Sequence, residues 1–195
     1  LVGCLLWCAR NIFVECALGV SMLCRLMSKP SKVAWDGAIH MLKWLRDNKE
    51  KGIIFKSSGN QVPIAFSDAS NVENPIDGLV QAGHCVMLAG GPVIYSSQKL
   101  KHVAPTGATS HVEYMAINGA NRDIIWIRQL LYELKLYDMV DEPTILYGDN
   151  ECANKLGKED IITPGNKYIY LSYHFNKEVQ EMAMWTYVQR GLRFN

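Results

Sequence analysis

The amino-acid pattern of the chain changes at Gly52, and this change constrains the fold more than any other feature. The residues after Gly52 form short β-rich runs separated by turn residues, a pattern typical of an antiparallel meander. These runs are 53–55, 62–66, 84–88 and 92–95. The longest amphipathic repeat follows, because apolar residues recur every three or four positions over 109–136. A meander followed by a long helix predicts an α/β fold.

Two further strand-like runs follow the long helix, at 144–147 and 185–188, with a predicted helix over 168–182 between them. Strands that alternate with helices are typical of parallel pairing. The predicted sheet is mixed and has five strands, three antiparallel strands and two parallel additions, so not all six β-rich runs belong to it. Helices flank this sheet, and a helical segment precedes it.

The residues before Gly52 are predicted to form helices, with a break at residues 28–31. Residues 1–27 are apolar nearly all round, but Arg10, Glu15 and Arg25 divide them into runs shorter than a membrane span, which needs about 18 apolar residues. We therefore predict no transmembrane segment. The resulting division is a helical part over 1–51 and a second domain over 52–195.

Positive charge is concentrated in the helical part. Residues 1–60 contain nine Lys and Arg against four Asp and Glu, whereas 61–195 contain eleven against fifteen. Ser31 is the predicted N-cap of a helix that runs to about residue 48 and carries Lys43 and Arg46. These two side chains are candidate nucleic-acid contacts, because a basic helix can follow a phosphate backbone. An ordinary solvated helix face explains the same charges equally well.

Three acids lie at the ends of predicted elements. Asp68 follows the run 62–66, Glu113 lies in the first turns of the long helix, and Asp149 closes the run 144–147. If the two strands are neighbours and the helix crosses them, these carboxylates converge at one edge of the sheet. Clusters of carboxylate oxygens bind Mg²⁺, and two such ions can activate water for phosphodiester hydrolysis.

Each acid also has a simpler interpretation. A carboxylate near a helix start, such as Glu113, interacts favourably with the positive end of the helix dipole. Asp149 can serve as the N-cap of the helix that is predicted to follow it. Spacing alone therefore leaves the catalytic and the structural roles open.

Five blocks of sequence occur in a characteristic order after Gly52. They are 66–70, 90–99, 113–116, 147–150 and 173–175. In order and character these blocks resemble the ribonuclease H domain of copia-type LTR retrotransposon Pol polyproteins. Segments 1–7, 26–30 and 35–45 resemble the end of the reverse transcriptase, including its thumb-like region, that precedes this domain.

The resemblance implies a site and a substrate. Asp68, Glu113 and Asp149 match the catalytic, metal-binding acids of the family, which use Mg²⁺, or Mn²⁺, to cut the RNA strand of an RNA–DNA hybrid. Ser70 and Asn150 are expected to contact the backbone of the hybrid. The other implied partner is the remainder of the reverse transcriptase polyprotein, and the implied location is the cytoplasm.

The chain departs from the family pattern at its C-terminal end. In the family, a helix after the last strand carries a fourth acid that completes the metal site, whereas residues 188–195 contain no acid. The domain is expected to lack its last helix, either as a fragment or as a decayed copy. Loss of one ligand is expected to impair activity, and an inactive relic that only binds nucleic acid or a partner is the alternative. His174 is predicted to be a packed core residue and not a proton shuttle.

Overall fold

The computed structural model describes residues 1–57, 61–70, 80–100, 109–148, 170–182 and 184–189. Its sheet has five strands: β1 (Ile64–Ala69), β2 (Gln81–Leu88), β3 (Gly91–Lys99), β4 (Thr144–Gly148) and β5 (Trp185–Gln189). The strand order is β3-β2-β1-β4-β5. Strands β1, β2 and β3 pair antiparallel, β4 is parallel to β1, and β5 is parallel to β4. The predicted mixed α/β class is confirmed.

Five α-helices are described: α1 (Val2–Asn11), α2 (Ala17–Arg25), α3 (Lys32–Asp47), α4 (Thr109–Glu133) and α5 (Tyr170–Glu181). A 3-10 turn, Val14–Cys16, joins α1 to α2. The predicted N-cap of α3 is confirmed, because Ser31 Oγ accepts a hydrogen bond of 3.1 Å from the backbone N–H of Ala34. Among the described residues, no helix has the length and apolar character needed to cross a membrane.

Helix α4 packs across one face of the sheet and builds the main core. The side chains of β1 alternate between the two faces, so Ala65, Ser67 and Ala69 are buried on the face toward α4. Ile124 of α4 and Leu146 of β4 are fully buried in the same cluster as Ala65. The apolar repeat of α4 therefore fixes which face of the sheet becomes the core.

A tight hairpin connects β2 to β3. Ala89 and Gly90 form its two-residue loop with φ of 52° and 81°, the left-handed region that favours glycine.

Residues 53–55 were predicted to form a strand, and this prediction is wrong. The segment is irregular, and the side chains of Ile53 and Phe55 lie so close to Gly91 that a Cβ there would meet them at 2.8–2.9 Å. The segment therefore contacts Gly91 through its side chains and does not form a strand of the sheet.

The N-terminal helices have a separate apolar core. Leu5, Phe13, Val20, Leu23 and Leu45 are buried together within it. Helix α2 also lies against β3, on the sheet face opposite α4, so the helical part covers the β3 side of that face. The domain boundary between residues 51 and 52 stays a prediction.

Helix α4 also fixes β4 and α5 through polar contacts. Arg128 donates hydrogen bonds to the carbonyl oxygens of Val140 (2.6 Å) and Glu142 (2.8 Å), just before β4 begins. Asn121 Nδ2 donates to Oδ1 of Asn176 on α5 over 2.8 Å, and both residues are buried.

His174 is exposed on α5, so its prediction as a core residue was wrong. Asn176 defines the face of α5 turned toward α4, and a residue two positions earlier lies on nearly the opposite face.

Candidate active site at the ends of β1 and β4

The parallel pairing of β1 with β4 brings the ends of these strands together. Ala65 is opposite Leu146, and Phe66 is opposite Tyr147. The rings of Phe66 and Tyr147 stack with their centroids 5.2 Å apart. Asp68 is two residues beyond Phe66 and therefore lies on the same face, where its side chain is exposed.

The third predicted acid follows β4 in the sequence. Strand β4 ends at Gly148, and Asp149 and Asn150 lie outside the described residues. Strands β1 and β4 lie side by side. Asp68 is near the end of β1, and Asp149 follows the last residue of β4. The sequence analysis required the strands that carry Asp68 and precede Asp149 to be neighbours, and β1 and β4 are neighbours.

The first turns of α4 lie against the same end of β1. Val112 and Ala116 are buried in one cluster with Ala69 of β1 and Ala82 of β2. Glu113 comes directly after Val112, and only 5% of its surface is exposed. Carboxylates are rarely buried to this degree unless they are paired, hydrogen-bonded or bound to a metal. Asp68 and Glu113 therefore lie on elements that meet at one end of the sheet.

The donor atoms available here suit a hard divalent cation. Mg²⁺ is usually held by one or two carboxylates together with water and substrate phosphates. The exposed Asp68 and the buried Glu113 are carboxylates of this type. Within the ranges that the structure describes, no three His, Cys, Asp or Glu side chains form a metal-binding group. Asp149 lies outside those ranges.

A cavity of about 350 Å³ lies beside Asp68, between the sheet and the segment 14–18. It is lined mainly by apolar atoms, with Glu15, Cys85 and Tyr95 among its polar side chains. Burial raises the pKa of the Cys85 thiol to about 11, and burial also raises the pKa of Tyr95. The Tyr95 hydroxyl is buried and has no hydrogen-bond partner within the described part of the chain. Near neutral pH, both of these groups therefore remain uncharged beside Asp68.

The remaining predicted contact residues lie apart from one another. Ser70 directly follows β1, is exposed, and donates its backbone N–H to the carbonyl oxygen of Gln81 over 2.8 Å. Lys43 and Arg46 are exposed on α3, which packs on α1 and α2, and Arg46 Nε donates to Asp47 Oδ1 over 2.9 Å. The structure thus brings Ser70 close to Asp68 along the chain, whereas α3 belongs to the helical core.

Sequence reasoning missed Glu15 and Tyr95 as neighbours of Asp68. Glu15 belongs to the helical part, and nothing in the local sequence pattern links it to a strand of the following domain. Tyr95 was recognised only as a strand residue. Strand pairing brings Tyr95 to this face of the sheet, because Tyr95 is opposite Cys85 and Cys85 is opposite Phe66. Packing of the helical part on β3 brings Glu15 there, and no local periodicity encodes it.

The fold and the sequence are similar to parts of known Pol proteins. No family model matches the chain. The foamy viral protease–reverse transcriptase, solved in complex with an RNA/DNA hybrid, is similar over 100% of this chain and 24% of that chain, with 14% identity and a TM-score of 0.57. LC11-RNase H1, isolated from compost, covers 67% of this chain and 84% of its own, with 16% identity and a TM-score of 0.47. The chain therefore shares its fold with a section of the foamy viral protease–reverse transcriptase.

In amino-acid sequence, the chain is similar to Pol polyproteins from transposons. The chain is 28% identical over 171 residues to the retrovirus-related Pol polyprotein from transposon RE2 of Arabidopsis thaliana, which covers 87% of this chain. It is 25% identical over 180 residues to the corresponding polyprotein from transposon TNT 1-94 of Nicotiana tabacum, which covers 91%. The resemblance to a retrotransposon Pol polyprotein is confirmed. The chain spans only 12% and 13% of the length of these two relatives.

Proposed function

We propose that the chain is a retrotransposon-derived ribonuclease H that hydrolyses the RNA strand of RNA–DNA hybrids with Mg²⁺ or Mn²⁺. The observation that carries this proposal is the parallel pairing of β1 with β4, the strands that lead to Asp68 and Asp149. The similarity to transposon Pol polyproteins supports it, as does the fold shared with a foamy viral enzyme solved with an RNA/DNA hybrid.

The three acids have complementary roles in this proposal. Asp68 is exposed beside the cavity and is accessible to metal and substrate, whereas Glu113 is buried and held by the packing of α4. With Asp149 they would hold two ions, which together activate a water and stabilise the leaving oxygen of the scissile phosphate. If the three carboxylates come together they would repel one another, and a bound cation would relieve this repulsion. Cys85 and Tyr95 are neutral near pH 7, so they add no charge of their own to the cavity beside Asp68.

The proposal includes impaired turnover in the 195-residue chain. The sequence contains no acid after Glu181, whereas the family pattern adds a fourth acid in a helix after the last strand. Fewer carboxylates leave more positive charge uncompensated around a second ion and weaken its binding. We therefore expect a version extended by an acid-bearing helix of the family to turn over faster than the chain as given.

A cleavage assay on a labelled RNA–DNA hybrid tests the proposal. Asp68→Asn, Glu113→Gln and Asp149→Asn are compared with the parent in Mg²⁺ and in Mn²⁺, in the given and the extended chain. Loss of a residue that only supports a metal ligand costs about 10–100-fold, so loss of a ligand is expected to cost at least about 100-fold. Asp141→Asn is the matched control, because Asp141 is an exposed acid in the segment before β4.

The outcomes separate an enzyme from a relic. Equal cleavage by Asp149→Asn and the parent contradicts the proposed site. Cleavage that appears only in the extended chain identifies a fragment of an active enzyme. Absence of cleavage in both chains, with the hybrid still bound, favours the non-catalytic binding module.

A further inference from the structure

His84 is the polar member of the row of β2 side chains that faces α4. Ala82 packs with the first turns of α4, and Val86 is buried in the main core with later residues of the helix. His84 lies between them, and its side chain is only 7% exposed. Its Nε2–H donates to Oδ2 of Asp123 over 2.7 Å, because a carboxylate can only accept. One directed hydrogen bond therefore lies within an otherwise apolar contact.

This hydrogen bond fixes what the apolar contacts leave free. Burial of apolar side chains is non-directional, so it holds α4 against the sheet without setting its rotation or its position along its axis. A hydrogen bond of 2.7 Å requires Asp123 to stay at one height and one angle relative to β2. Gly119 lies one turn before Asp123, where a Cβ atom would be 2.9 Å from the His84 ring. His84 therefore contacts α4 at two successive turns.

The pair of His84 and Asp123 joins the two elements that carry the candidate acids. On the strand side, His84 directly follows Gly83, and Gly83 is opposite Asp68 in the pairing of β1 with β2. On the helix side, Glu113 precedes Asp123 by ten residues of continuous helix, or about 15 Å. A continuous helix moves as one rigid element, so a rotation or shift at Asp123 displaces Glu113 relative to Asp68.

A metal site built on Glu113 tolerates little displacement of α4. Mg²⁺ requires oxygen ligands at about 2.0–2.1 Å in a nearly octahedral arrangement. Functional side chains must be held within about 0.5 Å of their productive positions. A slip of α4 by a single residue would move Glu113 by about 1.5 Å along the helix axis and turn it by about 100°. Metal binding by Glu113 therefore depends on the register of α4 against the sheet.

We propose that His84 and Asp123 are positioning residues that hold α4 in register with β2 and thereby place Glu113 at the Asp68 end of β1 for metal binding. The metal part of this inference rests on the proposed function, whereas the register of α4 does not. Neither His84 nor Asp123 is a metal ligand in this inference, so their effect on the metal passes through the position of the helix.

Two measurements that need no cleavage test this inference. Binding of Mn²⁺ is measured by the electron paramagnetic resonance signal of the free ion. Hydrogen exchange of the backbone amides of residues 113–120 is followed by mass spectrometry in EDTA, with α3 as the internal reference. Helix α3 suits this purpose because it belongs to the separate core of the helical part.

Three variants are compared with the parent. Asp123→Ala removes the hydrogen-bond acceptor of His84, whereas Asp123→Asn keeps an acceptor oxygen of the same reach. Glu133→Ala is the matched control on the same helix, because it removes an exposed carboxylate and the hydrogen bond that this carboxylate accepts from Gln129. The control thus equals Asp123→Ala in lost charge and in the number of lost hydrogen bonds.

Asp123→Ala is expected to weaken Mn²⁺ binding by about 10–100-fold, because it removes the support of a metal ligand. It should also speed exchange in residues 113–120 while exchange in α3 stays unchanged. Asp123→Asn and Glu133→Ala should behave like the parent in both measurements. If Asp123→Ala does not fold, Asp123→Ser takes its place, since its short hydroxyl cannot reach the ring and is solvated at this partly exposed position.

Equal Mn²⁺ binding and equal exchange in Asp123→Ala and the parent overturn the inference. A loss of the same size in Glu133→Ala also overturns it, because the effect is then one of net charge. Faster exchange in α3 as well as in α4 does the same, because the effect is then a global loss of stability.

Failure of the proposed function gives a different result. If the parent neither binds Mn²⁺ nor cleaves a hybrid, the proposed function fails, and the exchange of residues 113–120 alone decides whether the pair sets the register of α4. If the parent cleaves and Asp123→Ala binds Mn²⁺ equally well, the positioning role fails while the proposed function stands.

Discussion

Helix α4 and β2 approach most closely where Gly119 faces His84. A Cβ atom at position 119 would lie 2.9 Å from both Nδ1 and Cε1 of the His84 ring. The His84 side chain is only 7% exposed, and its Nε2 lies 2.7 Å from Asp123 Oδ2. The ring cannot yield to a new methyl group without losing this hydrogen bond. Gly119→Ala is therefore expected to push α4 away from the sheet.

The magnitude follows from two opposing effects. Overpacking a filled site costs about 1–3 kcal/mol, whereas replacing glycine by alanine inside a helix stabilises by about 0.8–1.0 kcal/mol. The net change in the free energy of unfolding is a loss of about 0–2 kcal/mol. Gly37→Ala in α3 is the control, because the nearest atom to its Cβ is Leu23 Cδ2 at 3.7 Å, an ordinary contact. This variant should be stabilised by about 0.8–1.0 kcal/mol.

A double-mutant cycle with His84→Ala isolates the contact. With the ring removed, Gly119→Ala should stabilise by about 0.8–1.0 kcal/mol, so the two substitutions couple by about 1–3 kcal/mol. The free energies of unfolding are measured by urea denaturation followed by circular dichroism. The same effect of Gly119→Ala with and without the His84 ring would refute the steric reasoning.

Two further perturbations test local features of the structure. Ser31→Ala should destabilise α3 by about 1 kcal/mol in urea denaturation, because it removes the acceptor for Ala34 N–H, and Ser28→Ala, which is exposed and outside the helices, should have little effect. An equal loss in both serine variants would contradict the capping role. Burial raises the pKa of Cys85 from 9.0 to about 11, so the unfolded state releases this proton first and the parent should lose stability relative to Cys85→Ala between pH 9 and 11. The difference between these two proteins should be constant below pH 9, and a constant difference up to pH 11 would exclude this effect of burial.

Local signals in the sequence predicted most of the regular elements. The cap at Ser31 and the apolar repeat of α4 act within one or two helical turns, so a single sequence contains the information that forms them. The turn at Ala89 and Gly90 likewise predicted the hairpin between β2 and β3. Residues 53–55 have a strand-like composition but lie irregularly against Gly91, because strand formation requires a partner that composition does not specify.

The sequence by itself determined the order of elements, the apolar face of α4 and the candidate acids at Asp68 and Glu113. Tertiary structure decided which segments meet. Packing of α2 on β3 brings Glu15 beside Asp68 and joins Arg25 to Lys99 in one cavity, although these residues lie far apart along the chain. Tertiary structure also decided the exposure of His174. Asn176 accepts a hydrogen bond from Asn121, which turns this face of α5 toward α4 and leaves His174 on the exposed face. Periodicity describes how one element is patterned, whereas the choice of partner depends on the shape and polarity of the surfaces that pack together.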